Sequence, residues 1–450
     1  MQPDLLAKYR EAMLPRYTSY PTAPHFSSAI SADTYGDWLE SLSAEKPVSL
    51  YLHIPFCRSM CWYCGCHTTI TKRDEPILDY LAALREEVCL VSAAAKKRLS
   101  VDHVHFGGGT PTIIRPRKFL ELFQLLRDRF DFAIAAEIAV EIDPRTLQEE
   151  MVIALGEAGV NRASLGVQSL DPLVQKAINR IQTEERTAEA VAKLRAAGVG
   201  SINLDLIYGL PHQTVQSCVE TAEAAITMGP NRFAVFGYGH VPFFKKHQKL
   251  IDEAALADAE GRIAQAEAIA ETLMAAGYRR IGFDHFAKAD DSLAVAQATG
   301  KLHRSFQGYT TDACEALIGF GASAIGRTSE GYVQNEVAPR LYAQTVARGH
   351  LATVKGYRLT EEDRLRAAII ERLMCDFSAD VSAIAAAHGF ESGIVLDDNE
   401  SLAMLERDGV LQREGGVIRL REERHFLIRA VAAAFDAYLE QTRRVHSRVA

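Results

Sequence analysis

Three cysteines, Cys57, Cys61 and Cys64, stand in a C-x3-C-x2-C spacing inside the stretch Y-L-H-I-P-F-C-R-S-M-C-W-Y-C-G-C, which runs from Tyr51 to Cys66. Four of the eight cysteines fall here; Cys89, Cys218, Cys314 and Cys375 are scattered singly. Clustered thiols in a reducing compartment more often do metal or redox chemistry than form disulfides. Three thiolates on one tight loop can hold three corners of an iron–sulfur cube. Protein clusters normally take four Cys ligands, so a three-Cys loop leaves one iron open, much as catalytic zinc sites keep a position free for substrate. The alternatives are a structural zinc or a redox-inert loop. A closed zinc site recruits a second C-x2-C or His pair, and the sequence has no second such cluster. Cys66 is a further thiol in principle able to close the cube.

Two other stretches carry candidate groups. Gly107, Gly108 and Gly109 permit close backbone approach to a ligand, or simply a tight turn after a strand. Glu141 ends the apolar run I-A-V-E-I, where a carboxylate needs polar partners or a ligand because an unpaired buried charge is costly.

The elements that must position these groups alternate from residue 47 to about 240. Apolar runs V-S-L-Y-L-H, V-D-H-V-H-F, I-A-V-E-I, A-S-L-G-V, I-N-L-D-L-I-Y and F-A-V-F-G-Y are separated by helix-period stretches at 76–99, 116–130, 149–158, 183–197 and 214–228. Such alternation implies βαβ units and a parallel sheet. Gly159, Gly198 and Gly277 follow helical runs as cap glycines do. Six units do not fill an eight-strand barrel, so the expected fold is α/β, a partial, open (β/α)6 TIM-like barrel. Cys57 to Cys64, the three glycines, Glu141, Gln168 and Asp205 then fall at or just past the C-terminal ends of successive strands. That rim carries the chemistry of (β/α) barrels.

Beyond the barrel pattern, a long helix is expected over 252–276 and a strand over 278–286. A basic, aromatic stretch covers 289–311, and 319–326 reads as a Gly-rich turn. From about residue 360 the chain is mainly helical. Its helices at 365–374, 381–388 and 402–408 precede a hairpin turning at Gly415 and Gly416, a winged-helix pattern. The expected divisions are 1–46, an N-terminal arm; 47–285, the barrel; 286–359, a barrel extension that closes on substrate; and 360–450, the helical, winged C-terminal domain.

The cysteine motif following Y-x-H-I-P-F resembles the radical S-adenosylmethionine enzymes, and the C-G-C ending at Cys66 resembles the oxygen-independent coproporphyrinogen III oxidases. P-R-Y-T-S-Y-P-T-A from Pro15, G-G-G-T-P from Gly107, E-I-D-P-R from Glu141 and G-V-Q from Gly166 read like the same family. So do D-L-I-Y-G-L-P from Asp205, D-H-F-A from Asp284 and F-Q-G-Y-T-T from Phe306. The likeness covers nearly the whole chain, in the family's order.

The resemblance implies that Cys57, Cys61 and Cys64 ligate a 4Fe–4S cluster and that S-adenosylmethionine chelates the open iron, with Cys66 outside the ligand set. It implies one-electron cleavage to a 5′-deoxyadenosyl radical, then loss of a β-hydrogen and CO2 from two propionates of coproporphyrinogen III, giving protoporphyrinogen IX. Tyr51 would sit by the sulfonium and the substrate, with the G-G-G-T-P segment, Gly108 included, on the methionine amino group. Glu141 would take the ribose hydroxyls, and Ile325 would touch the same cofactor. A second S-adenosylmethionine would meet Tyr63, Gly109, Thr110, Gln168, Arg180, Asp205 and Gly239. Tyr63 stands where a Phe is usual and Gly239 where an Ala is usual; the first keeps a stacking face, the second loses a methyl. Asp205 and Arg180 also read as a structural ion pair on the rim.

In this family the arm looks like a flap over the active site, so Arg16, Tyr17 and Tyr20 would help close the cavity. Arg16, Lys301, His303 and Arg304 are candidates for the propionates, since guanidinium pairs bidentately with carboxylate. A flavodoxin or ferredoxin would donate electrons, and a further acceptor is required. The related haem chaperones usually have an aromatic where Cys66 stands and lack the arm, which favours the oxidases over them; an anaerobic haem-degrading methyltransferase is another relative.

With 450 residues, a hydrophobic content of 48% and a charged content of 24%, the chain has an ordinary globular composition. A net charge of −8 gives no general field for nucleic acid or an acidic membrane, which argues against a winged-helix DNA regulator. Neither a signal-peptide run nor about 18 consecutive apolar residues is found, so a cytoplasmic protein outside the membrane is expected, as a monomer.

Overall fold

In the computed structural model of the chain, residues 8–9 and 14–439 are described. The remainder of the expected arm and of the C-terminal domain lies outside them. Six strands form the centre: β1 (Val48–Ile54), β2 (Ser100–Gly108), β3 (Asp131–Ile142), β4 (Arg162–Gln168), β5 (Ser201–Tyr208) and β6 (Arg232–Gly237). They lie side by side in chain order, every neighbouring pair parallel. Helices α1 (Glu75–Ala94), α2 (Pro116–Arg129), α3 (Glu149–Ala158), α4 (Glu184–Ala196), α5 (Val215–Thr227) and α6 (Ala259–Ala275) follow the strands in turn. This is the expected partial (β/α)6 barrel.

Alternation along each strand decides which side chains reach the interior. In β1, Leu50, Leu52 and Ile54 are buried in the main apolar core with Leu84 and Val88 of α1, which leaves Tyr51 and His53 on the opposite face. Helix starts are fixed by side chains that accept otherwise unpaired amides. Thr183 caps α4, Thr214 and Ser217 form a capping box on α5, and Asp258 caps α6.

The sheet extends to twelve strands. Past β6, the expected strand at 278–286 is two short antiparallel ones, Arg279–Ile281 and His285–Ala287, because the chain reverses at Gly282 (φ 53°). The helix expected from 252 begins only at Ala259, after a separate 3-10 turn. Past β1, the strand Ala316–Phe320 runs parallel to it, followed by three antiparallel strands ending at Arg358. Gly319 and Gly326 therefore sit in strands rather than in the expected turn. A Cβ on Gly319 would lie 2.7 Å from the Ile325 carbonyl oxygen, so close approach of two strands explains both glycines. The C-terminal domain packs Glu361–Asp376 and smaller helices against a three-stranded sheet whose outer hairpin turns at Gly415, the winged pattern.

The arm contains the helix Ala32–Ser41, whose Tyr35, Trp38 and Leu39 join the barrel core. Tyr17 and Tyr20 do not face the cavity. Both are buried in the C-terminal core, where the Tyr17 hydroxyl donates to Asp436 at 3.0 Å and the Tyr20 hydroxyl accepts from the Ala437 amide. They anchor the arm, because two aromatic rings are better buried there than held in an open mouth.

Candidate active site

The loop after β1 presents Cys57, Cys61 and Cys64 as free thiols, and each sulfur has its own hydrogen-bonding neighbours. The Thr110 hydroxyl lies 3.3 Å from the Cys57 sulfur, and the Thr68 hydroxyl donates to it at 3.4 Å. Arg145 and Arg180 donate to Cys61 at 3.4 and 3.6 Å. The Cys66 amide donates to Cys64 at 3.4 Å. Donors of this kind favour the thiolate and tune a bound metal centre.

Burial pushes the Cys57 thiol up, against those hydroxyls. A hydrogen bond with the Cys66 side chain brings Cys64 down to about 6. Among the described residues no three His, Cys, Asp or Glu side chains converge as a single ion requires. The three sulfurs fit a cluster, in which each ligand meets a different iron, better than a lone zinc.

Two neighbouring segments hold the loop in place. The Trp62 amide donates to the Ile178 carbonyl at 3.0 Å and Asn179 to the Met60 carbonyl at 2.8 Å. From the other side, His247 bonds the Cys64 carbonyl at 2.7 Å, Lys245 that of Cys66, and Gln248 bridges the carbonyls of Tyr63 and Gly239.

At the end of β3, one Glu141 oxygen is 3.1 Å from His105 Nε2 and the other accepts the Gly108 amide at 3.0 Å. Burial opposes its charge, yet the hydrogen bond and charge of His105 hold the carboxyl below its ordinary value. Asp205 behaves in the opposite way. Burial, then the nearby Glu141 charge, pushes it up to about 7 despite hydrogen bonds from Asn203 and Ser164. Two carboxyls on β3 and β5, the strands that flank β4, are thus shifted in opposite directions, although Asp205 lies within its strand rather than at the expected end.

The Tyr51 hydroxyl lies 2.9 Å from His53 Nδ1, and its ring stacks on His105 at 5.8 Å. Burial pushes the phenol well up, so it stays protonated. The Arg180 guanidinium donates to the Gly166 carbonyl at 2.6 Å and reaches Asp143 at 3.5 Å.

The rim is also shaped to receive something. A Cβ on Gly107 would lie 2.8 Å from Glu141 Oε1, and one on Gly109 would lie 2.6 Å from the Phe56 carbonyl oxygen. Gln168 is held at φ 70°, a costly left-handed conformation for that residue. Its buried Oε1, like Arg180 Nε, has no partner among the described residues. Unmatched buried donors and acceptors beside a glycine cradle fit a polar cofactor that supplies the missing bonds.

Contacts therefore connect Tyr51, the three cysteines, Tyr63, Gly108, Gly109, Thr110, Glu141, Gln168, Arg180, Asp205 and Gly239 around one rim. Ile325 lies farther along the sheet: its carbonyl abuts Gly319, which pairs with Tyr51. Four further contacts were not legible as site residues: His53, His105, Asp143 and Arg145. The signal for the histidines was alternation, since each shares a strand face with Tyr51 or its cross-strand partner. Asp143 and Arg145 stand inside the E-I-D-P-R motif itself.

Of the expected propionate residues, Arg16 lines a large cavity beside the rim, and Lys301, His303 and Arg304 do not line it. Arg304 is buried, donates to the Arg16 carbonyl and lies 4.5 Å over Tyr309, so it clamps the arm. His303 is occupied by Glu371, and Lys301 is exposed to solvent.

A partial parallel barrel with three such thiols after its first strand defines a radical S-adenosylmethionine protein, and residues 51–225 match the Radical SAM superfamily. The chain is 56% identical to the oxygen-independent coproporphyrinogen III oxidase of Bradyrhizobium diazoefficiens over 448 residues, covering 100% of both chains. It is 37% identical to the protein of that name from Synechocystis sp., covering 97% of this chain and 95% of that one. The solved coproporphyrinogen III oxidase (HemN) of Escherichia coli, described as a radical SAM enzyme, superposes with a TM-score of 0.90 at 37% identity, over 94% of this chain and 98% of that one. The chain belongs to the oxygen-independent coproporphyrinogen III oxidase family. Membership implies a 4Fe–4S cluster and S-adenosylmethionine. No described helix is long and apolar enough to cross a membrane.

Proposed function

We propose that this chain converts two propionate side chains of coproporphyrinogen III to vinyl groups without oxygen, giving protoporphyrinogen IX in haem biosynthesis. The supporting observation is the set of three rim sulfurs, each with its own hydrogen-bonding neighbour. When bound, the cluster and S-adenosylmethionine supply a 5′-deoxyadenosyl radical able to take the β-hydrogen whose loss precedes departure of CO2.

Cys57, Cys61 and Cys64 hold the cluster, and Cys66 stays outside the ligand set. Glu141, kept ionised by His105, is positioned to accept ribose hydroxyls. Gly108 and its neighbours admit the methionine end, and Ile325 packs on the same cofactor. Tyr51, oriented by His53 and His105, remains a neutral donor facing the reacting groups.

The unmatched polar atoms of Gln168 and Arg180 support a second S-adenosylmethionine among Tyr63, Gly109, Thr110, Gln168, Arg180, Asp205 and Gly239. In this reading 47–285 is the catalytic barrel, 1–46 an arm fastened across its mouth, 286–359 an extension that closes on substrate, and 360–450 the domain that anchors the arm. The protein works as a cytoplasmic monomer, reduced by a flavodoxin or ferredoxin and passing the product electron to a separate acceptor.

Anaerobic incubation with coproporphyrinogen III, a reductant and S-adenosylmethionine tests the proposal. Divinyl product with methionine release is expected. Stable haem binding without turnover would overturn it in favour of a chaperone role.

A further inference from the structure

A cavity of about 1380 Å³ opens beside the rim, between β6, helix α6 and the C-terminal domain. It is larger than most small-molecule pockets, which run to about 1,000 Å³. None of the three cluster cysteines lines it. It meets the candidate active site at Tyr208, Gly237 and Gly239, on the strand ends that neighbour Asp205.

Its charges are unevenly distributed. At the far end Arg280 stands with Glu267, Glu422 and Glu423, so acids outnumber the guanidinium there. At the rim end Arg16, Arg262 and Arg429 gather instead. Of the acids there, Glu253 pairs with His240 at 3.0 Å, Asp258 caps α6, and Asp284 meets His285 and Arg304 while also facing the Arg16 charge.

Arg262 is built into this end. Two glycines make room for it: a Cβ on Gly209 (φ 77°) would overlap its Nη1, and one on Gly237 would lie 3.2 Å from its Nη2. The guanidinium lies 5.7 Å from the centre of the Tyr208 ring, and Nη2 donates to the Tyr238 carbonyl at 2.8 Å. Nε is buried with no partner, and Arg262 has no carboxylate partner among the described residues. Arg16 reaches the same place from the arm, donating to the Gly237 carbonyl at 3.1 Å. Burial, with the Arg16 charge adding to it, holds the Arg262 and Arg429 guanidiniums below their ordinary values. Like charges held together in a partly dry cavity favour an anionic guest.

We propose that Arg262, with Arg16 closing over it from the arm, binds a carboxylate of the substrate in this lateral cavity. The flat aromatic lining, with Tyr208, Phe236 and Phe283 among it, suits a macrocycle bearing such carboxylates. This rests on the tetrapyrrole reading above and assigns one of its propionates a seat. Arg262 is a binding residue in this scheme, separate from the groups that touch the cofactor.

The test uses anaerobically reconstituted holoenzyme and coproporphyrin III, the air-stable oxidised form of the substrate, followed by its fluorescence. R262A is expected to bind about tenfold or more weakly, R262K to recover part of the loss, and R280A at the acidic far end to stay within about twofold. In turnover, KM should rise for R262A while cleavage of S-adenosylmethionine without substrate is unchanged. Wild-type affinity in R262A or R262K, or an equal loss in R280A, would overturn the assignment. If R262A fails to take up the cluster, R262K against wild type decides. Wild-type protein that binds coproporphyrin III and never forms vinyl product would sink the functional reading instead, so the two failures are distinguishable.

Discussion

Arg180 donates to the sulfur of Cys61 at 3.6 Å while the same guanidinium donates to the Gly166 carbonyl at 2.6 Å. One buried cation thus ties Cys61, a proposed cluster ligand, to the end of β4. Its removal takes a positive charge from beside the cluster, which should make the centre harder to reduce. R180A is expected to show a more negative cluster potential in an anaerobic titration and turnover lower by about ten- to a hundredfold. R180K, which keeps the charge without the fork, should fall between. An unchanged potential in R180A would show that the contact does not act on the cluster.

Gly109 has no room for a side chain. An added Cβ would lie 2.6 Å from the Phe56 oxygen and 2.7 Å from Thr68 Oγ1, and Thr68 is a donor to Cys57. Neither neighbour can give way without moving the cysteine loop. G109A should keep its secondary structure and lose more than about tenfold in turnover, with weaker S-adenosylmethionine binding by calorimetry. Full activity in G109A would mean that the loop is more compliant than these contacts imply.

The six barrel strands and the rim they create were legible because each buried strand is a short apolar run between helix-period segments. The pairing of Ala316–Phe320 with β1 was not, since it joins residues about 270 apart and local periodicity says nothing about such partners. The aromatic residues of the arm were legible as important and misread as to place. Tyr17 and Tyr20 bury their rings in the C-terminal core, and the adjacent Arg16 reaches the cavity. Arg262 was hidden in an Ala/Glu-rich helix, where its role depends on Gly209, just past β5, and Gly237, the last residue of β6.

The cysteines should separate into two classes. Cys57 and Cys61 accept at sulfur from threonine and arginine side chains, whereas the solvent-exposed Cys66 supports Cys64 with its backbone amide and its side chain. Serine at any of the first three should abolish the brown colour and lower the bound iron, and turnover with it. C66S keeps the amide and should retain full iron by metal analysis. Loss of the cluster in C66S would place that thiol in the ligand set and remove the open iron.

Glu87 of α1 gives a pH prediction that does not depend on the cofactor. Its carboxylate is wholly enclosed, accepting the Gly321 amide at 2.6 Å, the Tyr342 hydroxyl at 2.7 Å and Asn335 at 2.6 Å, where it fixes the turn between two strands past β1. Burial outweighs these bonds and raises its pKa from 4.5 to about 7. The folded state then holds a proton that the unfolded chain releases. Its contribution to stability is therefore full below 4.5, declines as pH rises towards 7, and is absent above. The size is on the order of 3 kcal/mol. E87Q cannot titrate, so urea midpoints at about pH 5 and about pH 8 should differ less in the variant than in the wild type, by about that energy. Parallel pH dependence in the two proteins would mean that Glu87 is ionised in the fold throughout this range, with its three donors outweighing burial.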